Sequence, residues 1–154
     1  MSTQTHWLIP GQVIYTRLDG IFTLRDFQEM VAQIDSMGGG HPNAHVHVIV
    51  DGTRIERTLL YPADIVRVML NANWFRPGGW VVGLTRNKVD GFLATLAVQV
   101  FGVRGHYVLT IDDALHFLSQ QDAALPPLDD LQRAYLALDT RLNGQPSPLE
   151  AAGA

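Results

Sequence analysis

Residue types that bind metals or move protons fall close together in one short stretch: His45, His47 and Asp51. On an extended strand alternate side chains share a face, so all three would point the same way. Two imidazoles and a carboxylate form a donor set for zinc or iron. The spacing argues against it, because four residues of strand separate His47 from Asp51 by roughly 13 Å, too far for one ion. His45 and His47 alone would need a third ligand from elsewhere. They are expected to be structural, and no metal or other cofactor is expected.

Just beyond, Asp51-Gly52-Thr53-Arg54 brings an acid, a hydroxyl and a guanidinium together. Asp51 could anchor a ligand by hydrogen bonding, and Thr53 could accept a phosphate. The plainer reading is an Asp-Gly turn with a solvated tail. Thr85-Arg86-Asn87-Lys88 places two cations before a helix start, where exposed amides favour an anion. Trp74, Phe75 and Trp80 could line an apolar pocket beside the Gly78-Gly79 turn. No catalytic constellation accompanies them. There is no glycine-rich phosphate loop, no G-x-G-x-x-G and no G-x-S-x-G, and the serines fall outside strand-to-helix turns. The expected site is therefore a binding rim of Asp51, Thr53, Arg54, Tyr61, Trp74, Trp80, Arg86 and Lys88, with no catalytic residue.

These residues must be held by the elements around them. Val46 to Val50 is a β-branched run suited to a strand buried on both faces, the mark of an inner parallel strand. It is expected to stop at Asp51-Gly52, leaving a polar turn up to Tyr61-Pro62, where a helix opens. In open α/β sheets ligands are met at the carboxyl ends of such strands, so Asp51 to Tyr61 is the expected wall of a site. Before it, His6–Ile9 and Gln12–Leu18 flank Pro10-Gly11 and predict an antiparallel hairpin, its second strand ended by Asp19-Gly20. Thr23 and Asp26 form a capping box ahead of a helix with Leu24, Phe27, Val31, Ile34 and Met37 on one face.

Further strands are expected over Trp80–Thr85 and His106–Thr110, with a helix from Asp90 between them and another after Thr110. Alternating strands and helices give an α/β domain with a mixed, mostly parallel sheet of about five strands. Residues 1–121 would form that domain and 122–128, with Pro126-Pro127, a linker. Residues 129–143 would form one extra C-terminal helix, seamed by Leu131, Tyr135, Leu138 and Leu142, and 144–154 a flexible tail. The seam either packs across the domain or pairs with a second copy in a homodimer.

Composition narrows the function classes. With 154 residues, 47% of them hydrophobic, one domain can build a core unaided. The absence of cysteine removes disulfides, thiol nucleophiles and thiolate metal sites, and suits a reducing cytoplasm. A net charge of −4 with scattered basic residues disfavours nucleic acid. No apolar run approaches the ~20 residues that cross a bilayer, and the first residues lack the basic and apolar regions of a signal peptide. A cytoplasmic protein is expected, without membrane insertion.

Four phrases resemble the STAS superfamily (sulfate transporter and anti-sigma-factor antagonist domains), in its SpoIIAA-like group. They are Gly20-Ile21-Phe22-Thr23-Leu24-Arg25-Asp26-Phe27, His47-Val48-Ile49-Val50-Asp51, Gly79-Trp80-Val81-Val82 and Ile111-Asp112-Asp113-Ala114-Leu115-His116-Phe117-Leu118. Their order covers roughly residues 6–121. The resemblance implies a β–α superhelix that binds or regulates a protein partner or small ligand rather than catalysing. In the antagonist branch a phosphorylatable serine follows the central aspartate; here Gly52 follows Asp51, and Thr53 is the nearest hydroxyl. The related fold of lipid-carrying CRAL-TRIO proteins implies a second option, a carrier or sensor of an apolar molecule between the second and third helices. An enzyme using Asp51, Arg54 and Arg86 is the remaining alternative.

Overall fold

The computed structural model describes residues 2–38, 45–71, 78–86 and 104–144. The chain opens with the expected hairpin, β1 (Ser2–Ile9) antiparallel to β2 (Val13–Phe22). Pro10-Gly11 makes its turn, and Gly11 takes φ 74°, a left-handed geometry open to glycine at no steric cost. Helix α1 (Leu24–Gly38) follows. Its capping box is formed as expected: the Thr23 amide and hydroxyl donate to Asp26 Oδ2 at 2.9 and 2.6 Å, and the Asp26 amide donates to Thr23 Oγ1 at 3.4 Å. Then come β3 (His47–Thr58), α2 (Pro62–Asn71), β4 (Trp80–Leu84), β5 (Arg104–Val108), α3 (Ile111–Gln121) and α4 (Leu128–Gly144). Thr110 caps α3, its hydroxyl accepting from the Asp113 amide.

The five strands lie side by side in the order β1-β2-β3-β4-β5. All neighbours are parallel except β1 and β2, so the sheet is mixed and mostly parallel, with β3 at its centre. The helix expected from Asp90 and the tail 145–154 lie outside the described residues. Among the described residues no helix is long and apolar enough to cross a membrane.

Two expectations need correction. Neither Asp19-Gly20 nor Asp51-Gly52 ends its strand: β2 runs on to Phe22 and β3 to Thr58, and they stay paired to the end. The register slips by one residue opposite Arg17–Asp19 and again opposite Gly20–Ile21, each time adding a residue to β3. Gly20, at φ 84°, supplies the backbone freedom on β2. Sequence that reads as a turn is thus absorbed as irregularities within a continuing ladder. The carboxyl end of the central strand, expected at Asp51, lies at Thr58.

Each face of the sheet builds its own core. One face packs α1 and α2 with Ile14, Leu18, Phe22, Phe27, Met30, Val31, Ile34, Val48 and Ile65. The other packs α3 and α4 with Val13, Tyr15, Ile49, Val82, Leu115, Leu118, Leu131, Leu138 and Leu142. The leucine seam of α4 is spent inside the chain, since Leu131, Leu138 and Leu142 are all buried there. At about 1.5–3 kcal/mol for each fully buried leucine, that seam holds α4 firmly on the sheet.

Candidate functional site

The chemistry-bearing residues gather on the α3/α4 side of the sheet. Alternation along β2 turns Val13, Tyr15 and Arg17 to that side, and along β3 it turns His47, Ile49 and Asp51 there. Tyr15, Arg17, His47 and Asp51 are all buried, between 0 and 4% exposed. Buried polar groups need partners, and each of these has them.

Asp51 is the hub at one end. Its Oδ2 accepts from the Tyr15 hydroxyl at 2.5 Å, and its Oδ1 accepts from the Thr53 hydroxyl at 2.6 Å and the Thr53 amide at 3.0 Å. Arg17 Nε donates to the Tyr15 oxygen at 3.1 Å. The two terminal nitrogens of Arg17 reach across to α4, donating to Asp139 Oδ1 at 2.5 Å and Asn143 Oδ1 at 3.1 Å. Arg54, itself exposed, donates to the same Asn143 oxygen at 3.0 Å. The Tyr15 ring is met edge-on by Tyr135 of α4, with centroids 5.7 Å apart. Burial first, and the Asp51 carboxylate second, push the Tyr15 hydroxyl well above its ordinary pKa. Burial would lower Arg17, but hydrogen bonds to Asp139 and Tyr15 outweigh it and hold the guanidinium charged.

His47 organises the other end of the same row. Its Nδ1 accepts the Trp80 amide hydrogen at 2.9 Å, which leaves the ring proton on Nε2 to donate to Asp122 Oδ2 at 2.8 Å. That bond to His47 lowers the Asp122 carboxyl below its ordinary value. Asp122 closes α3 and also accepts from the Ala124 amide, so His47 ties the sheet to the segment leading into α4. Gly79 makes the approach possible. A Cβ there would lie 2.5 Å from His47 Nδ1 and 2.7 Å from the Val46 carbonyl oxygen. His45 sits apart, bonded to the Gly78 carbonyl at 3.1 Å. Among the described residues no group of three metal-ligating side chains occurs.

The sequence-expected rim is therefore divided. Asp51, Thr53 and Arg54 come together, but inside a network whose hydrogen bonds are made within the chain. Trp80 opens β4 and stacks edge-on against Phe117 of α3 at 5.0 Å, on the α3/α4 face. Arg86 is exposed beyond β4. Tyr61 is 72% exposed at the start of α2. Trp74, Lys88 and the space between the second and third expected helices lie outside the described residues. Sequence reasoning missed Tyr15, Arg17, Asp122, Asp139 and Asn143 as participants. One signal was present: an arginine alternating with a tyrosine and a valine on an inner strand needs an acid from whatever covers it.

A second group of side chains is set quite differently. Ile21 and Leu59 are about half exposed, at 44 and 45%, and Tyr61, two residues further along, is more exposed still. The sheet register sets the ends of the two strands side by side: Ile21 lies opposite Arg57, and the Leu59 amide donates to the Phe22 carbonyl at 2.8 Å. Arg54, Glu56 and Arg57, on the stretch of β3 before them, are exposed as well.

No family model matches the sequence, and no curated protein matches it. Among solved structures, an uncharacterised protein of the DUF3478 family with a SpoIIAA-like fold, from Shewanella loihica PV-4, aligns over 76% of this chain and 92% of its own, with 15% identity and a TM-score of 0.54. The unphosphorylated anti-sigma factor antagonist SpoIIAA aligns over 77% of this chain and 98% of its own, with 13% identity and a TM-score of 0.45. Strand order, helix placement and the first of these likenesses agree on one conclusion: this chain has a SpoIIAA-like fold, as the STAS resemblance of its sequence implies.

Proposed function

We propose that this chain is a non-catalytic, STAS-like regulatory domain that meets a protein partner at the β3–α2 junction. The observation that carries this reading is the exposure of Ile21, Leu59 and Tyr61, apolar side chains at or just past the carboxyl ends of the central strands. An aromatic anchor with aliphatic neighbours and a border of Arg54, Glu56 and Arg57 has the make-up of a small protein interface. The acid of the rim supports the same reading by default. Asp51 has both carboxylate oxygens engaged and is 4% exposed, a poor position for a general base or a nucleophile. A solvent-facing tyrosine past the end of the strand, together with an interlocked, buried acid within it, suits recognition better than turnover.

The test is site-specific photo-crosslinking in the native cell, with a benzophenone side chain replacing Tyr61 and, as a control, Arg133 on the exposed side of α4. The reading expects one discrete adduct from position 61, weakened by Leu59→Asp. No adduct at 61, or the same adduct from 133, contradicts it.

A further inference from the structure

The two central strands outrun their neighbours. β4 ends at Leu84, opposite Asp51 of β3, and β1 begins at Ser2, opposite Asp19 of β2. β2 and β3 go on, pairing Gly20 with Ile55, Ile21 with Arg57 and Phe22 with Thr58. Among the described residues the sheet there is two strands wide. Two strands alone are marginally stable, so an overhang of this kind depends on what it leans against. Toward α1 and α2, Phe22, Ile55 and Leu60 belong to the apolar cluster. The overhang carries Ile21 and leads into Leu59 and Tyr61, the exposed side chains of the proposed contact.

From α4 a hydrogen bond meets the overhang at its root. Arg54, opposite Asp19 in the ladder, donates from Nη2 to Asn143 Oδ1 at 3.0 Å. Asn143 belongs to the last turn of α4, and that turn has a firm base: Leu138 and Leu142 are buried in the α3/α4 core, and Asp139 is bonded to Arg17. The oxygen is also aimed. Arg17, 2% exposed and held by Tyr15 and Asp139, donates to the same Asn143 oxygen at 3.1 Å, which keeps the side chain turned toward Arg54. An amide oxygen has two lone pairs, so it can take both guanidiniums.

We infer that Asn143 is a positioning residue for the β3–α2 contact: through Arg54 it braces the overhang from the end of α4, and so sets how Ile21, Leu59 and Tyr61 are presented. The inference rests on the β3–α2 reading and adds to it a residue 89 positions from Arg54 in sequence. A single hydrogen bond from a charged donor is a modest contribution. It is enough to bias a marginal pair of strands and too small to decide whether the domain folds. Its loss loosens the overhang and leaves the middle of β3 as it was, because there the strand is paired on both sides.

Native-state amide exchange of the full chain tests the brace. In Asn143→Ala, amides of residues 55–58 are expected to exchange about threefold to tenfold faster, while those of residues 48–50 keep their rates. Asn143→Asp, which retains the acceptor, is expected to restore the overhang. Because Asn143→Ala also takes an acceptor from buried Arg17, Arg54→Met repeats the measurement from the exposed end. Positioning is read by the photo-crosslink from position 61 in the native cell, weaker in Asn143→Ala and recovered in Asn143→Asp. Overhang amides unchanged in both Asn143→Ala and Arg54→Met, or an equal acceleration of residues 48–50 in Arg54→Met, overturns the inference. So does an adduct at 61 that is indifferent to Asn143→Ala. With no adduct at 61 in the unaltered protein, the β3–α2 reading fails and the positioning role falls with it.

Discussion

The two faces of β3 are made in different ways. Toward α1 and α2 it presents Val48 and Val50, with Val46 just before it, all three set in an apolar cluster. Toward α3 and α4 it presents His47, Ile49 and Asp51, an apolar centre with a polar residue at each end. Apolar contact is non-directional and tolerates small shifts of a helix along the sheet. Hydrogen bonds do not. His47 fixes the end of α3 through Asp122, and Arg17, held by the Tyr15–Asp51 pair, fixes the last turns of α4 through Asp139 and Asn143. The leucine seam supplies the energy that keeps α4 on the sheet, and the polar ends determine where along the sheet it rests.

The contrast can be broken most forcefully at Arg17. Arg17→Met leaves Asp139, Asn143 and Tyr15 without their shared donor and is expected to cost about 3–5 kcal/mol in denaturant unfolding. Ile34→Ala on the apolar face should fall in a similar range, about 2–5 kcal/mol, through its cavity. The difference appears on adding a second change. Arg17→Met with Asp139→Leu should recover much of the loss, because the unpaired acid is gone, whereas no polar repair exists for Ile34→Ala. A double variant as unstable as Arg17→Met alone would mean that the ion pair is not what carries the cost.

A smaller effect is expected at the His47 end. Gly79→Ala introduces a methyl where the His47 ring and the Val46 carbonyl already stand, one of them backbone that cannot rotate away. The expected loss is about 1–3 kcal/mol. It should be reduced in a His47→Ala background, which opens space at the ring but leaves the carbonyl. Additive losses would place the clash at the carbonyl alone.

The mildest change sharpens the comparison through pH. Tyr15→Phe removes one hydroxyl and is expected to cost about 1–3 kcal/mol at neutral pH. The folded protein holds the Tyr15 proton more tightly than the unfolded chain does. Its contribution is therefore complete below the ordinary tyrosine value of 10.0 and declines as pH rises above it, when the unfolded chain ionises first. Stability of the unaltered protein should fall more steeply above pH 10.0 than that of Tyr15→Phe. Equal slopes would contradict the buried position of this hydroxyl.

Much of the fold is legible in the sequence, because it is written in local signals. The Thr23–Asp26 box, Pro10-Gly11, Pro62 at a helix start and the valine run of β3 each act through neighbours in the chain. The continuation of β2 and β3 past Gly20 and Gly52 is not legible. The pairing that keeps both strands extended comes from the other strand, and glycine after aspartate favours a turn only when no such ladder competes. The site is less legible still. Asp51 stands out as an acid at the end of an apolar run, and Tyr61 as an exposed aromatic. The partners of Asp51 include Tyr15, 36 residues away, and Arg17 finds Asp139 at a distance of 122 residues. Spacing along the chain carries no trace of such pairings.

The central claim is that α4 is part of the folded core, locked to the central strands by the Arg17 network and the leucine seam. Native-state amide exchange of the full chain tests it most directly. The account predicts that amides of α4 between Leu131 and Leu142 exchange with the same free energy as those of β3 between Val48 and Asp51, both through global unfolding. Exchange of α4 through a separate, lower-energy opening, with β3 still protected, would contradict it.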